Sequence, residues 1–179
     1  LVHTDLIPLL RWIVASFEPL AEEKDIKLQF FTEQKKLEMD LDPQAMQQVL
    51  INLIGNAIKF TPARGQVSLL VRIEAEQLQL SVVDTGKGME PNQVRQIFTP
   101  FYQVEDGSHV QHKGTGIGLA IVKELVSQME GDIKVESQIN EGSSFILTLP
   151  ITHEAEPSST MEAEELPISL SSLSEMGEP

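Results

Sequence analysis

Four polar side chains, Gln48, Asn52, Asn56 and Lys59, recur at spacings of four, four and three residues. Wound at 100° per residue they fall within an arc of about 80°, while Val49, Leu50, Leu53, Ile54, Ala57 and Ile58 take the other side. Three amides and an ammonium therefore share one helix face, the two asparagines one turn apart. An amide oxygen is a hard, neutral ligand suited to Mg²⁺, which keeps several waters and binds through few protein groups plus substrate phosphates. Lys59, one turn on, would reach those phosphates. Taken alone, the same pattern also describes an ordinary solvated polar face.

A second candidate is the strand-like Leu80-Ser81-Val82-Val83 running into Asp84-Thr85-Gly86-Lys87-Gly88-Met89. A strand ending in a carboxylate and two glycines is most simply a turn. It also suits a nucleotide-base pocket, in which ionised Asp84 accepts a hydrogen bond from an exocyclic amine and the glycines let backbone approach the ring. Adenine carries that amine at its 6-position, where guanine has an oxygen. Asp-Thr-Gly is also the signature of aspartic proteases, but these need two such loops sharing a proton. The sequence has one copy, followed by Lys87-Gly88.

The third candidate is Gly114-Thr115-Gly116-Ile117-Gly118-Leu119, placed where a helix begins. Free N–H groups and the macrodipole at a helix N-terminus both favour anions, so such a run can cradle phosphate. It is neither a Walker loop, which ends in Gly-Lys-Ser/Thr, nor a dinucleotide fingerprint, whose third glycine is replaced here by Leu119. Upstream, Ser108, His109, Gln111, His112 and Lys113 form a polar loop able to fold over bound phosphates. His109 and His112 have no third metal ligand nearby and read as solvated loop histidines.

The elements that must position these groups follow from periodicity. Asp5 caps an amphipathic helix over roughly 5–23, with Leu6, Leu9, Leu10, Ile13, Phe17 and Leu20 on its apolar stripe. Short strands are expected at 27–32 and 37–40, and Asp42-Pro43 opens a second helix running to about Lys59, stopped by Thr61-Pro62. Gln66–Ala75 and Gln77–Asp84 read as a hairpin, Pro91–Phe98 as a short helix and 102–113 as a loop. A helix from about Ile117 to Met129 precedes Gly131, and Asp132–Ser137 with Ser144–Pro150 closes the domain as a hairpin. Helices interleave with hairpins, which favours a mixed sheet covered by helices on one face.

The 179 residues suit one domain with spare segments. We divide them into a domain over 1–153 and a linker or disordered tail over 154–179, where seven Glu and no basic residue account for half of the net charge of −14. With 13 basic against 27 acidic side chains, no nucleic-acid footprint is expected. No apolar run approaches the roughly 18 residues of a membrane span, so no direct membrane contact is expected from this segment. The absence of Cys excludes disulfides, thiolate metal sites and a cysteine nucleophile, and fits a reducing compartment. The start, Leu1-Val2-His3, carries no signal-type segment and no Met, as an excised fragment would.

In their order, Gln48-x-x-x-Asn52-Leu-Ile-Gly-Asn56-Ala-Ile-Lys59-Phe60-Thr61, Asp84-Thr-Gly86-Lys-Gly88-Met, Phe98-Thr-Pro100-Phe101 and Gly114-Thr-Gly116-Ile-Gly118-Leu-Ala resemble the four successive boxes of the sensor histidine kinase catalytic domain. The wider superfamily is that of gyrase, Hsp90, histidine kinase and MutL ATP-binding domains. The resemblance covers about 5–151, including Glu141-Gly142-Ser-Ser-Phe145 and Leu149-Pro150.

The resemblance implies an α/β two-layer sandwich of the Bergerat type: a mixed, mostly antiparallel sheet of about five strands with three main helices on one face. It implies ATP and Mg²⁺ as cofactors. Asn56 would be the Mg²⁺ ligand helped by Asn52, Lys59 a phosphate contact, and Asp84 the adenine-reading carboxylate with Gly86 and Gly88 shaping the pocket. Lys113, Gly114, Thr115, Gly116, Gly118 and Leu119 would line or neutralise the phosphates. Phe98 and Phe101 would anchor a lid over 102–113. Hydrolysing members of the superfamily carry Glu where this chain has Asn52, so slow intrinsic hydrolysis is implied, with ATP kept for transfer to a protein side chain. No His here is followed by the acceptor motif, since His3 precedes Thr4. The implied partners are a dimerisation/phosphoacceptor helix domain of the same kinase and a response regulator receiver domain, to which the tail would connect in a hybrid kinase. A cytoplasmic location follows, with the parent protein open to membrane anchoring. The alternatives are a non-catalytic ATP-sensing interaction module and a gyrase- or Hsp90-type ATPase.

Overall fold

A computed structural model of the chain describes residues 1–104 and 116–153. Lys113, Gly114, Thr115, most of the 102–113 loop and the 154–179 tail, for which roles are expected, fall outside them.

The elements run β1 (Val2–Asp5), α1 (Leu6–Ser16), α2 (Glu18–Glu23), β2 (Lys27–Thr32), β3 (Glu38–Leu41), α3 (Pro43–Phe60), β4 (Gln66–Glu74), β5 (Gln77–Asp84), α4 (Pro91–Gln96), α5 (Gly118–Gln128), β6 (Asp132–Gln138) and β7 (Gly142–Pro150). Five strands form one sheet in the order β2-β4-β5-β7-β6, and β1 pairs with β3 in a separate two-stranded sheet. β2 runs parallel to β4; the other neighbours are antiparallel. This is the expected mixed, mostly antiparallel sheet.

Period-two alternation explains why helices cover only one face. Val67, Leu69 and Val71, Leu78, Leu80 and Val82, and Phe145, Leu147 and Leu149 are buried, whereas the residues between them are polar or less buried. The register aligns these side chains in rows, one of which runs Phe30, Leu69, Val82, Phe145, Val135. Against them α1 sets Leu6, Leu10 and Ile13, α3 sets Met46, Leu50, Leu53, Ile54 and Ile58, and α5 sets Val122 and Val126, all essentially inaccessible to solvent. The β4–β5 hairpin turns on Ala75 and Glu76, both at positive φ (49° and 61°), as a two-residue turn matched to strand twist requires.

Asp42 caps α3 by accepting from Gln44 N at 2.9 Å and Ala45 N at 3.1 Å. Asp5 caps α1 through Ile7 N and also accepts from Leu37 N at 3.0 Å, tying the helix start to the approach to β3.

Two expectations are corrected. The single helix over 5–23 is broken at Phe17, which lies between α1 and α2 with φ −94° and ψ −7°. Pro19 in the first turn of α2 lacks an N–H and its ring crowds the carbonyl four residues back, so the apolar stripe continues while the helix does not. β1 was not foreseen; its partner β3 lies more than thirty residues on, with Val2 opposite Leu41 and Asp5 opposite Glu38. Smaller shifts occur at α4, which stops at Gln96, and at β7, which begins at Gly142.

Asp40 on β3 is buried and joins three segments. His3 Nδ1 lies 3.0 Å from its carboxylate, its backbone N–H donates to Thr152 O at 2.8 Å, and the His3 and His153 rings sit 6.2 Å apart. Among the described residues no helix is long and apolar enough to cross a membrane.

Candidate functional site

The polar face of α3 is half-buried at Asn52, Asn56 and Lys59 and lies beside the start of α5 and the end of β5. Asn52 donates from Nδ2 to the Gln48 carbonyl at 2.9 Å. Its Oδ1 lies where α5 begins: a Cβ on Gly118 would come within 2.6 Å of it. Glycine at 118 thus lets the two helices approach with the amide between them. Asn56 makes no side-chain hydrogen bond among the described residues, which leaves its amide oxygen available.

Asp84 ends β5 on the core-facing side, only 8% exposed. Its Oδ1 accepts from Gly86 N at 2.8 Å. Burial raises its pKa above the ordinary aspartate value, a rise partly offset by the backbone N–H groups of Gly86 and Ser143. Gly86 is wedged in turn: a Cβ there would meet Asp84 Oδ1 at 2.8 Å and the Phe60 carbonyl at 2.9 Å, so the Asp84 loop and the last turn of α3 touch through it. Gly88, at φ 69°, has the Gln138 carbonyl where a Cβ would project.

The aromatic pair divides. Phe98 is half-buried, edge-on to Phe145 with centroids 6.3 Å apart, and Lys123 Nζ sits 5.3 Å from its ring. Phe101 is 73% exposed; its backbone rather than its ring makes the tether, with Phe101 N donating to Gly116 O at 2.9 Å. Both residues have positive φ, 65° and 70°, and Gly116 lies against the Phe101 backbone. Leu119 packs on the hydrophobic core as a partly buried residue. The structure therefore brings Asn52 to Gly118, Asp84 and Gly86 to Phe60, and Phe101 to Gly116.

Three further contributors have no role expected from the sequence. The Phe60 ring has Lys59 Nζ at 5.3 Å and Lys87 Nζ at 5.4 Å from its centroid. Gly142, at φ 108°, backs the Asp84 carbonyl so closely that no Cβ fits. Lys24 reaches the end of α3 from α2 and donates to Ile58 O at 2.6 Å and Lys59 O at 3.1 Å. Gly142 lies in the Glu-Gly-Ser run between two strands and Phe60 in the Asn56 box, whereas Lys24 carries no such signal.

Among the described residues no group of three His, Cys, Asp or Glu could hold a metal ion. The amide oxygens of Asn52 and Asn56 are too few for an all-protein cage and would suit a cation that keeps waters and phosphate oxygens as ligands.

A small α/β domain with an amide-bearing helix, a buried carboxylate at a strand end and a glycine-lined helix start defines an ATPase class, and residues 41–153 match the family of histidine kinase-, DNA gyrase B- and HSP90-like ATPases. The chain belongs to that family. Within it, the relatives are sensor histidine kinases: sensor histidine kinase RcsC of Salmonella typhimurium is 41% identical over 140 residues, 78% of this chain. That match covers 15% of RcsC, so the chain spans a small part of the relative's length. The nucleotide-free catalytic domain of histidine kinase ThkA superposes with TM-score 0.74 and 28% identity, covering 85% of this chain and 97% of that one. ThkA in complex with response regulator protein TrrA gives 0.71 at 26% identity, covering 84% and 42%. Full-length ShkA in complex with AMPPNP gives 0.74 at 32% identity, covering 87% and 32%. The chain is the ATP-binding domain of the sensor histidine kinase type.

Proposed function

We propose that this domain binds Mg²⁺-ATP and transfers the γ-phosphoryl group to a histidine on a separate dimerisation/acceptor helix domain, from which a response regulator receiver domain takes it. The observation carrying this reading is the contact of Asn52 with Gly118, which sets the amide face of α3 against the glycine-lined start of α5. Asp84 accepts the adenine amine, with Gly86 and Gly88 giving the base access. Asn56, helped by Asn52, holds Mg²⁺, which when bound supplies positive charge to the phosphate oxygens. Lys59 contacts the phosphates from the next turn, and Gly116, Gly118 and the 113–115 segment line them.

In the transfer, the bond from Pγ to the β-phosphate oxygen breaks, ADP leaves, and a bond forms from Pγ to an imidazole nitrogen of the acceptor. The imidazole proton goes to a carboxylate beside that acceptor histidine, outside this chain. Asn52 supports transfer over hydrolysis, because an amide cannot accept a proton from an attacking water; a missing general base removes about 10² to 10⁴ in rate. We place the domain in the cytoplasm and assign 154–179 as a linker or disordered tail.

Isothermal titration with ATP, with and without Mg²⁺ and with GTP as control, tests the pocket, and single-turnover transfer to a supplied acceptor domain tests the reaction. Selective, Mg²⁺-dependent ATP binding followed by transfer is expected. Binding without transfer would favour an ATP-sensing interaction module, and steady phosphate release would favour a hydrolase.

A further inference from the structure

The last turn of α3 is closed by a residue from outside the four sequence boxes. A helix leaves its final four carbonyls without intrahelical partners. Here Ala57 O accepts from Thr61 N at 3.1 Å and from Thr61 Oγ1 at 2.6 Å. Lys24 Nζ takes the next two, Ile58 O at 2.6 Å and Lys59 O at 3.1 Å, and reaches Thr61 O at 3.5 Å. The fourth, Phe60 O, lies against Gly86 of the Asp84 loop. The three N–H bonds of one ammonium thus meet three carbonyls around the turn that carries the Lys59 side chain and presents Phe60 O to the base pocket. The positive charge also sits at the negative pole of the helix, which it complements.

We propose that Lys24 is a positioning residue of the nucleotide site: it fixes the last turn of α3 so that Lys59 and the Phe60–Gly86 contact hold their places. The inference rests on the ATP-site reading above. Lys24 need not touch ATP. Its own backbone is secured independently, since Arg64 N donates to Asp25 O at 2.6 Å and Lys27 N to Gly65 O at 3.0 Å. Removing the ammonium therefore leaves the two segments joined and the fold in place.

The test compares Lys24→Met, Lys24→Arg and Lys59→Met, singly and with Lys24→Met and Lys59→Met combined, by ATP titration at a temperature where every variant is folded. Lys24→Met should weaken ATP about tenfold, equivalent to ~1.4 kcal/mol, and Lys24→Arg should recover most of the loss. The double variant should lose less than the sum of the singles, because Lys24 acts partly through Lys59. An ATP affinity within about twofold of wild type for Lys24→Met, or fully additive losses, would overturn the proposal. Amide exchange supplies a readout that needs no ligand: Thr61 and Gly86 N–H should exchange faster in Lys24→Met while mid-strand β5 amides keep their protection. Unchanged exchange at both sites would overturn the proposal, whereas failure of wild type to bind ATP would count against the ATP-site reading alone.

Discussion

Asp84 combines burial with a hydrogen-bonding duty, and the two pull its protonation in opposite directions. Burial dominates, so the folded protein holds the Asp84 proton to a higher pH than the unfolded chain does. This carboxylate therefore subtracts stability as pH rises from the ordinary aspartate pKa through the raised folded value. Relative to Asp84→Asn, the wild-type nucleotide-free domain should lose stability over that window and hold a constant offset above it. Parallel denaturant titrations of the two proteins across acid pH read the difference, and a relative gain of wild type with rising pH would contradict the raised value. ATP reverses the balance, since the exocyclic amine needs the ionised form. Asp84→Asn should weaken ATP binding by about 1–3 kcal/mol and narrow the gap to GTP. Equal binding of ATP and GTP by wild type would remove the base-reading role. Asp84 and its two glycines stood out in the sequence because a strand ending in a carboxylate is a local pattern. Lys24 did not, because what it does depends on carbonyls distant in the chain, and Gly142 stood out only as part of the Glu141-Gly142 run between two strands. Phe101 makes its described contact with Gly116 through the backbone, which an aromatic side chain in the sequence does not announce.

Where α3 meets α5, the space left by one missing methyl matters. Gly118→Ala would put Cβ within 2.6 Å of Asn52 Oδ1, so either the amide swings away or α5 lifts from α3. Overpacking of this kind costs about 1–3 kcal/mol in stability, and ATP affinity should fall as well because Asn52 moves. Thermal unfolding and titration on the same sample measure both, and a variant matching wild type in each would show that the contact is slack. α3, the β4–β5 hairpin, α5 and the β6–β7 hairpin could be read from sequence because each carries its own period or turn signal. α1 and α2 merged in that reading because their apolar spacing runs across Phe17 unbroken. β1 was lost since four residues with one strong apolar side chain become a strand only when β3 arrives to pair with them. Sheet order was equally beyond periodicity: β7 enters between β5 and β6, and β2 lies parallel to β4.

The described chain closes its core by residue 153, with the last strand ending at Pro150. The composition of 154–179, seven Glu with Ser and Pro, is what supports the linker or tail proposed there. Deleting 154–179 should leave the melting temperature and ATP affinity nearly unchanged, as calorimetry and titration would show; a large loss in either would mean that the tail is part of the domain. Domain class was readable over about 5–151 because the four boxes keep their order, and the chemistry each box performs alone is weak evidence until the fold brings them together.

The junction at Asp40 has a mechanical meaning. β1 pairs with β3, and Thr152 bonds to the same β3 residue that holds His3. Tension applied between residues 2 and 153 would close through this short path of strand pairing and hydrogen bonds at one corner. The Thr152–Asp40 hydrogen bonds, fewer than those of the β1–β3 pairing, would give way first, and the load would then pass along the chain into β7, the neighbour of the strand that ends at Asp84.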